Sequence, residues 1–512
     1  MHHCLSISEL VENICNNLQG VEQGRRTLAA LARTCRSFHD PALNCLWAIQ
    51  ATGMVNLMHC MPPDLFEFSD NGHIRVLRPI LLEDWERPLV HMRRIRTLIC
   101  SGITNIPAVS ALCASFPGDA GPLFPKLTSL HWGYDWRPED PPSLHVLFSP
   151  RLTSLTISAP LSNIILSDIP RTCPALKYLD VYSLDVDYGG VDRSAISTFL
   201  RDLHSLESLE IVVPDLATLE HLSQLPCLAS LIARLPDDLP LPSNPLSFIA
   251  LELLVIRYEV EPVIHFLQRC DGVPLKSIII ELDMRPTTAA IDRLYTALRE
   301  GCSHTSLRSL AIDIEDDELL EPGDNAHATN LESLRLLFCF VNTTSISLAS
   351  YAEFNIDDHG MKELALAWPQ IRELRLKLEP WYADLQRHPK FSLRCLRILA
   401  EHCQALTDLE ITLNATVIPE LGPDLGTRPV SQSALRNLDV GKSPITSPSL
   451  HVARYVSDLF PSVSELTTNR TYCKNDDPEE LEDHAEAIAH HRLWMEVADQ
   501  LPSLKATREE ER

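Results

Sequence analysis

The sequence predicts an α/β chain: a solenoid with a parallel sheet on one side and helices on the other, preceded by three short helices. Two observations predict the solenoid and a third the helices. Thirteen times between Ile95 and Leu438 the chain writes leucine or isoleucine, two variable residues, an aliphatic, one variable residue and usually another aliphatic, as in Leu152-Leu155-Ile157, Leu251-Leu254-Ile256 and Leu406-Leu409-Ile411. The last two aliphatics stand two apart, so in a strand both point to one face while their neighbours point to the other. Several motifs are followed by helical periodicity. Asp192 to Leu203 places Ile196, Phe199, Leu200 and Leu203 together, and Thr287 to Leu298 does so with Ile291, Leu294 and Leu298. Asp357 to Trp368 and Ser392 to Cys403 repeat the device, with Asp357 and Ser392 as N-caps. One strand-and-helix unit cannot bury its own apolar face, so units stack. The third observation is that the first fifty residues carry helical spacing and no strand motif.

In chain order, residues 1–50 open with Ile7, Leu10, Ile14 and Leu18 at helical intervals, with Ser6 or Ser8 to cap the start and Gly20 to close. A second helix is expected from Arg25 to about Arg36, with Leu28, Leu31, Ala32 and Cys35 inward. Phe38, a turn at Asp40-Pro41 and a third short helix bearing Ala42, Leu43, Leu46 and Trp47 come after it. A core this small is marginal, so stabilisation by a partner is expected. Residues 51–94 read as a helical linker, with a helix from Met54 to Met61, Pro62-Pro63 to end it, and Leu77 to Leu82 with Trp85 against the N-terminal helices.

Residues 95–473 form the solenoid. Motif spacing runs from 22 residues (Leu206 to Leu228) to 40 (Leu331 to Ile371), near the roughly 20–29 of leucine-rich repeats with insertions. Such coils form a right-handed solenoid, strands concave and helices convex. Pro125, Pro174, Pro226 and Pro369 stop the convex segment just before the strand motif. The repeats run unbroken to about residue 470, which predicts one elongated solenoid rather than two globular domains. In residues 474–512, Asp476-Asp477-Pro478-Glu479-Glu480 is a helix start with acids on the positive end of the dipole. That helix carries Ile488, Trp494, Val497 and Leu501 inward as a cap, and Lys505 to Arg512 is expected to fray.

Composition points to a binding protein and away from several other classes. Apolar residues make 45% of the 512, enough for an extended core, and net charge is −25. The first hundred residues balance ten Arg against ten acids, so the acidic surplus falls later. Nucleic acid is not expected as a partner, since phosphate binding wants a basic face. The start lacks a basic, then apolar, leader pattern and no run of 18 apolar residues occurs, so neither secretion nor membrane spanning is expected. Fifteen cysteines, odd in number and without a C-x-x-C pair, read as small buried hydrophobes in a reducing compartment. The sequons at Asn342, Asn414 and Asn469 are then expected to stay unmodified.

No phosphate-binding, nucleophile-elbow, dinucleotide or zinc-protease motif occurs, and glycine is scarce at 17. No catalytic residue, cofactor or metal is therefore expected. His2-His3 and His490-His491 read as solvated histidines, because neighbours on a helix diverge by about 100°. Glu315-Asp316-Asp317-Glu318 lacks calcium-loop spacing and reads as a solvated loop.

Three stretches of the first fifty residues resemble the F-box: Ile7-Ser8-Glu9-Leu10, the run from Leu28 to Phe38, and the Leu-x-x-Leu-Trp ending at Leu43 to Trp47. The chain is most similar to the mushroom-type fungal F-box group with degenerate leucine-rich repeats. Ser8 stands where that family usually has proline. The resemblance implies the substrate-recognition subunit of a Skp–cullin–F-box ubiquitin ligase, in cytoplasm or nucleus, that is not itself an enzyme. Its partners would be a Skp-type adaptor, through it a cullin, and a protein target. The adaptor-facing residues so implied are Ile7, Leu10, Ile14, Leu28, Leu31, Cys35, Phe38, Leu43, Leu46 and Trp47. A different reading is a leucine-rich-repeat scaffold or signalling adaptor whose N-terminal helices only cap the solenoid. An F-box leaves much of its apolar surface exposed, whereas a cap buries it.

Target selectivity is expected in the outward strand residues, where Tyr178, Tyr182, Arg234, Arg257, Arg335 and Arg375 are of the types enriched at hot spots. Arg257, Arg335 and Arg375 are expected to align as a basic stripe suited to an acidic or phosphorylated partner.

Overall fold

A computed structural model describes residues 7–468 and 485–511, apart from 22, 71, 102–105, 117–120, 134–143, 158–162, 182–192, 237–243, 316–326, 351–353, 379–388 and 420–429. Tyr182, Asp476 to Glu480 and Asn469 lie outside the described residues. The chain divides into two units, Met1–Leu231 and Ile232–Arg512.

The first unit begins with three helices, α1 (Ser8–Asn17), α2 (Gly24–Leu31) and α3 (Arg36–Ala48), continued at once by a short strand, β1 (Ile49–Gln50). Helix α4 (Val55–Met58), an antiparallel hairpin of β2 (Phe66–Phe68) and β3 (Ile74–Val76), and α5 (Glu86–Met92) come next. The repeats then run as β4 (Thr97–Ser101), α6 (Ile106–Ser115), β5 (Ser129–Gly133), β6 (Ser154–Ile157), α7 (Asn163–Thr172), β7 (Tyr178–Val181), α8 (Arg193–Arg201), β8 (Ser208–Val212), α9 (Leu216–Ser223) and β9 (Ser230–Arg234), which spans the division. β1, β4, β5, β6, β7 and β8 lie side by side, each pairing parallel to the next.

The second unit runs β10 (Leu253–Tyr258), α10 (Val260–Leu267), β11 (Ser277–Leu282), α11 (Thr288–Gly301), β12 (Ser309–Ile314), β13 (Thr329–Asn330), α12 (Leu331–Arg335), β14 (Ser345–Ser350), β15 (Phe354–Asn355), α13 (Asp358–Ala367), β16 (Glu373–Leu378), α14 (Arg394–His402), β17 (Asp408–Ile411), β18 (Asn437–Asp439), α15 (Ser449–Leu459), β19 (Glu465–Thr467) and α16 (Ala485–Glu511). β10, β11, β12, β14, β16, β17, β18 and β19 form a parallel sheet in that order, with β13 and β15 paired apart from it. Each unit is thus a leucine-rich-repeat stack, a parallel sheet flanked by helices.

The motif explains the stacking coil by coil. Its three aliphatics are buried: Leu152, Leu155 and Ile157 are inaccessible, as are Leu307, Leu310 and Ile312 to within 1%. The two amides that lead into a strand both donate to one carbonyl of the coil before. Lys177 and Tyr178 donate to Thr153, and Arg308 and Ser309 to Lys276. The same pair recurs at Ser464 and Glu465 on Arg436, so a further coil, built on Val463 and Leu466, comes after the last motif found by pattern.

Two of the expected caps, Asp357 and Thr287, are found at the cap position. The Asp357 carboxylate accepts from the Gly360 amide at 3.0 Å and Thr287 accepts from Ala290 at 3.2 Å. Ser392 serves one residue outside, its hydroxyl accepting from the Arg394 amide at 3.1 Å with Leu393 at the cap position.

Several expectations are corrected. Leu331-Leu334-Leu336 is not a strand: it falls on α12 and the turn after it, and the strand comes at Ser345–Ser350. There Thr343 occupies the leucine position, 1% exposed, tolerated because its hydroxyl donates to the Phe340 carbonyl at 2.8 Å. Asp40-Pro41 makes no turn, since α3 runs through it from Arg36 to Ala48. Ile7, not a serine, stands at the α1 N-cap position and no side chain caps it. The C-terminal helix does not fray from Lys505: α16 continues to Glu511, where Arg508 reaches the Ser457 hydroxyl at 2.8 Å and pairs with Asp458. Its inward residues are Trp494, Val497 and Leu501 as expected, with Ile488 half-buried.

Candidate functional site

Two kinds of surface present residue types suited to binding: the N-terminal helices of the first unit, and the outward sheet face of each unit. The first belongs to the N-terminal helices. Their core is Val11, Cys15, Leu28, Ala32, Phe38, Ala42 and Cys45, with Leu18, Leu31, Cys35, Leu43 and Leu46 packed half-buried against it. Helix α1 approaches α2 so tightly that a Cβ on Gly24 would stand 1.8 Å from the Leu18 carbonyl oxygen, after Gln23 turns the chain at φ 65°. Only glycine fits there.

At about 100° per residue, the apolar residues of α1 and its N-cap span an arc of roughly 140°. Half of that arc, Val11, Cys15 and Leu18, faces the core. The other half, Ile7, Leu10 and Ile14, is exposed at 41%, 41% and 39%. The helix therefore carries more apolar surface than its own fold uses.

This sorts the expected adaptor-facing residues. Ile7, Leu10 and Ile14 are accessible. Leu28 and Phe38, at 0% and 9%, are turned inward and are not available to a partner. Leu31, Cys35, Leu43 and Leu46 present only edges. Trp47 is half-buried because its ring stacks on His91 at 4.2 Å between centroids. Burial first, then the charge of Arg94, holds His91 below its ordinary pKa. Exposed Val21 (57%) and Ile49 (43%) escaped the sequence reading, because neither falls on a helical stripe.

The helices are tied to the start of the sheet. Arg94 donates to the Asp40 carboxylate at 2.8 Å and to the Asn44 side chain, and the Arg96 amide donates to the Ala48 carbonyl at 2.9 Å. Ile49 pairs in register with Thr97. Helix α3 thus runs directly into the first strand of the sheet.

The second kind of surface is the open sheet face, where every second strand residue points away from the core. In the first unit Tyr178 lies there on β7, 49% exposed, its hydroxyl 3.3 Å from Glu207. In the second unit the Arg234 guanidinium sits 5.1 Å over the Tyr258 ring and 3.8 Å from Asp283. Arg257 pairs with Glu281 at 2.5 Å, and Arg375 with Glu373 at 3.4 Å. Lys377 reaches past the intervening strand to Asp313 at 2.7 Å; its register partner on that strand is the small Ala349.

No basic stripe is formed. Arg335 sits on α12, off the sheet, where Glu332 and Glu363 hold it at 2.5 and 2.8 Å, while Arg257 and Arg375 are each engaged by a carboxylate. Glu281 and Glu363 come from the neighbouring coil, out of reach of a spacing argument, whereas Glu373 and Asp408 stand on the same outward face as Arg375, as strand alternation predicts. Burial pushes the Asp408 carboxyl up, but hydrogen bonds from Thr407 and Asn437 and the charge of Arg375 hold it below the ordinary range.

Among the described residues no group of His, Cys, Asp and Glu is placed to hold a metal ion, and no helix is long and apolar enough to cross a membrane. The buried thiols of Cys113 and Cys302 are pushed up to about 12 by desolvation, which keeps them protonated.

No protein-family model matches the chain, and no curated protein does. Solved structures do resemble it at low identity. The leucine-rich repeat-containing protein LegL7 of Legionella pneumophila is 16% identical with a TM-score of 0.29, over 55% of this chain and 82% of that one. A chain of the yeast Rad7 and Elc1 complex is 12% identical with a TM-score of 0.31, over 92% and 91%. A chain of the mouse RP105/MD-1 complex is 13% identical with a TM-score of 0.31, over 74% and 72%.

Proposed function

We propose that this chain is the substrate-recognition subunit of a Skp–cullin–F-box ubiquitin ligase, its N-terminal helices docking the adaptor and its repeats holding the target. The observation that carries the reading is the exposed stripe Ile7, Leu10 and Ile14, on a helix that already satisfies its own core with another face. A contiguous apolar stripe on a small helical module is what a partner helix or groove covers. The stripe coincides with the first of the three F-box-like stretches. On this reading the chain performs no catalysis, works in cytoplasm or nucleus, and reaches a cullin only through the adaptor.

The test uses residues whose change leaves the fold intact. Leu10→Asp with Ile14→Asp places two charges in the contact, and uncompensated burial of charge is costly. Pull-down of the variant from cells should lose the Skp-type adaptor and cullin at least tenfold, with an unchanged circular dichroism spectrum. Wild-type recovery by the variant would sink the reading.

A second reading is a non-catalytic scaffold in which these helices cap the repeats. The observation in its favour is the direct run of α3 into β1, with Arg94 clamping Asp40 and Asn44. It takes over if the wild-type chain brings down no adaptor.

A further inference from the structure

We propose that Arg25, Arg26, Arg33 and Arg36 form a second contact surface of the N-terminal module, which docks an acidic segment of the same protein partner that covers Ile7, Leu10 and Ile14. This deepens the receptor reading and rests on it only in taking that partner to be the Skp-type adaptor.

The residues from Gln23 to His39 include four arginines and no acid, in a chain of net charge −25. The stretch is bounded by Glu22, which lies outside the described residues, and by Asp40, which Arg94 holds at 2.8 Å. All four arginines are exposed, and among the described residues none of their side chains makes a hydrogen bond or ion pair. The arginines that tie elements of the first unit together are engaged instead: Arg78 by Asp64 and Asp84, Arg94 by Asp40.

Their placement works against the local fold. Arg25 and Arg26 stand in the first turn of α2 and Arg36 opens α3, and neither helix has an acid in its first turn or a side-chain cap. The start of a helix is the positive end of its dipole, where a cation is disfavoured and a carboxylate is favoured. Helix stability therefore does not account for these arginines, whereas carboxylates brought by a partner offset the cost.

Arg26 and Arg33 are seven residues apart, and the Arg33 amide, donating to the Ala30 carbonyl at 3.0 Å, carries the turn of α2 onward. That places them two turns and ~10 Å apart along the axis. They lie on the side of α2 away from the buried Leu28 and Ala32, with the small Ala29 and Ala30 between them. Guanidinium groups take carboxylates bidentately, so this patch selects clustered Asp or Glu.

The apolar stripe lies within reach of the same partner. Helices α1 and α2 have 10 and 8 residues, so they are only ~15 and ~12 Å long, and an interface of standard size covers about 800 Å² on each side. On α1 the acids Glu9 and Glu12 lie about 140–160° round the helix from Ile14, the middle of the stripe. The stripe is therefore joined to the arginines on one small module without carboxylates at its centre.

A labelled hexaglutamate peptide, in fluorescence anisotropy with the full chain at low salt, tests this. Net charge alone predicts repulsion, so binding reports the patch. The peptide should bind saturably, and at least tenfold more weakly to Arg26→Glu with Arg33→Glu. Arg454→Glu with Arg492→Glu, exposed arginines of the second unit, should bind it as the wild type does. Arg25→Glu with Arg26→Glu should also lose the peptide while raising the urea midpoint of the first unit, because acids suit a helix start. A leucine block added to the peptide should tighten binding at least tenfold, a gain that Leu10→Ser with Ile14→Ser removes. The proposal is overturned by no peptide binding to the wild type, by equal weakening in the control pair, by a lowered urea midpoint, or by no gain from the leucines. Capture of the chain by phosphatidylserine vesicles in place of the peptide would overturn it in favour of a lipid surface. No adaptor enters these measurements, so failure of this proposal and failure of the receptor reading are distinguished.

Discussion

At the scale of single residues, the N-terminal module depends on positions where size and charge leave little freedom. Gly24 is one, since any side chain there meets the Leu18 carbonyl. Gly24→Ala should cost more than about 1 kcal/mol, seen by hydrogen exchange as lost protection of residues 8–48 with the second unit unchanged. His91 is another. The unfolded chain takes up the imidazole proton near pH ~6.5, while burial and Arg94 make the folded chain refuse it until lower pH. The resulting stability is complete above that pH and is lost as pH falls towards the folded value. Urea melts of the first unit should weaken below pH ~6.5, and His91→Phe, which keeps the stack on Trp47, should remove that part of the slope. Residue identity alone revealed the aliphatics of the motif well, because only an apolar side chain usually fits a sealed position. It failed at Thr343, where a hydroxyl satisfied by the Phe340 carbonyl occupies a leucine slot. It failed again at Arg257 and Arg375, whose acidic partners become neighbours only through stacking or strand geometry.

At the scale of elements, the signals that agreed with one another were legible and those that stood alone were not. Thr287 and Asp357 cap helices whose apolar spacing already demanded them, and both are found as caps. The hairpin of β2 and β3 was missed, since three-residue strands are too short for a period to register. Leu331-Leu334-Leu336 fits strand and helix patterns alike, and the helix prevailed, which carried Arg335 off the sheet. On α1 the same spacing that predicted the helix could not tell which apolar residues face inward. That division, Val11 and Cys15 against Leu10 and Ile14, is decided by where α2 and α3 pack. The C-terminal helix gives the prediction at this scale. Trp494 is fully buried and its indole donates to the Ser443 carbonyl at 2.8 Å. Trp494→Ala should destabilise the second unit by about 3–5 kcal/mol, measured as a lowered denaturation midpoint.

At the scale of the whole molecule, the proposed function assigns two binding tasks to surfaces of different chemistry. The N-terminal stripe Ile7, Leu10 and Ile14 is apolar and would gain affinity through burial; the outward strand residues carry paired charges and small side chains and would supply selectivity. The claim on which the rest depends is that Ile7, Leu10 and Ile14 are covered by a Skp-type adaptor. Isothermal titration of the purified chain with a purified adaptor tests it most directly. The expected result is saturable one-to-one binding with a negative heat-capacity change, the mark of apolar burial, weakened at least tenfold by Leu10→Asp with Ile14→Asp. Binding by the variant as tight as by the wild type, or no heat at all with the wild type, would contradict it.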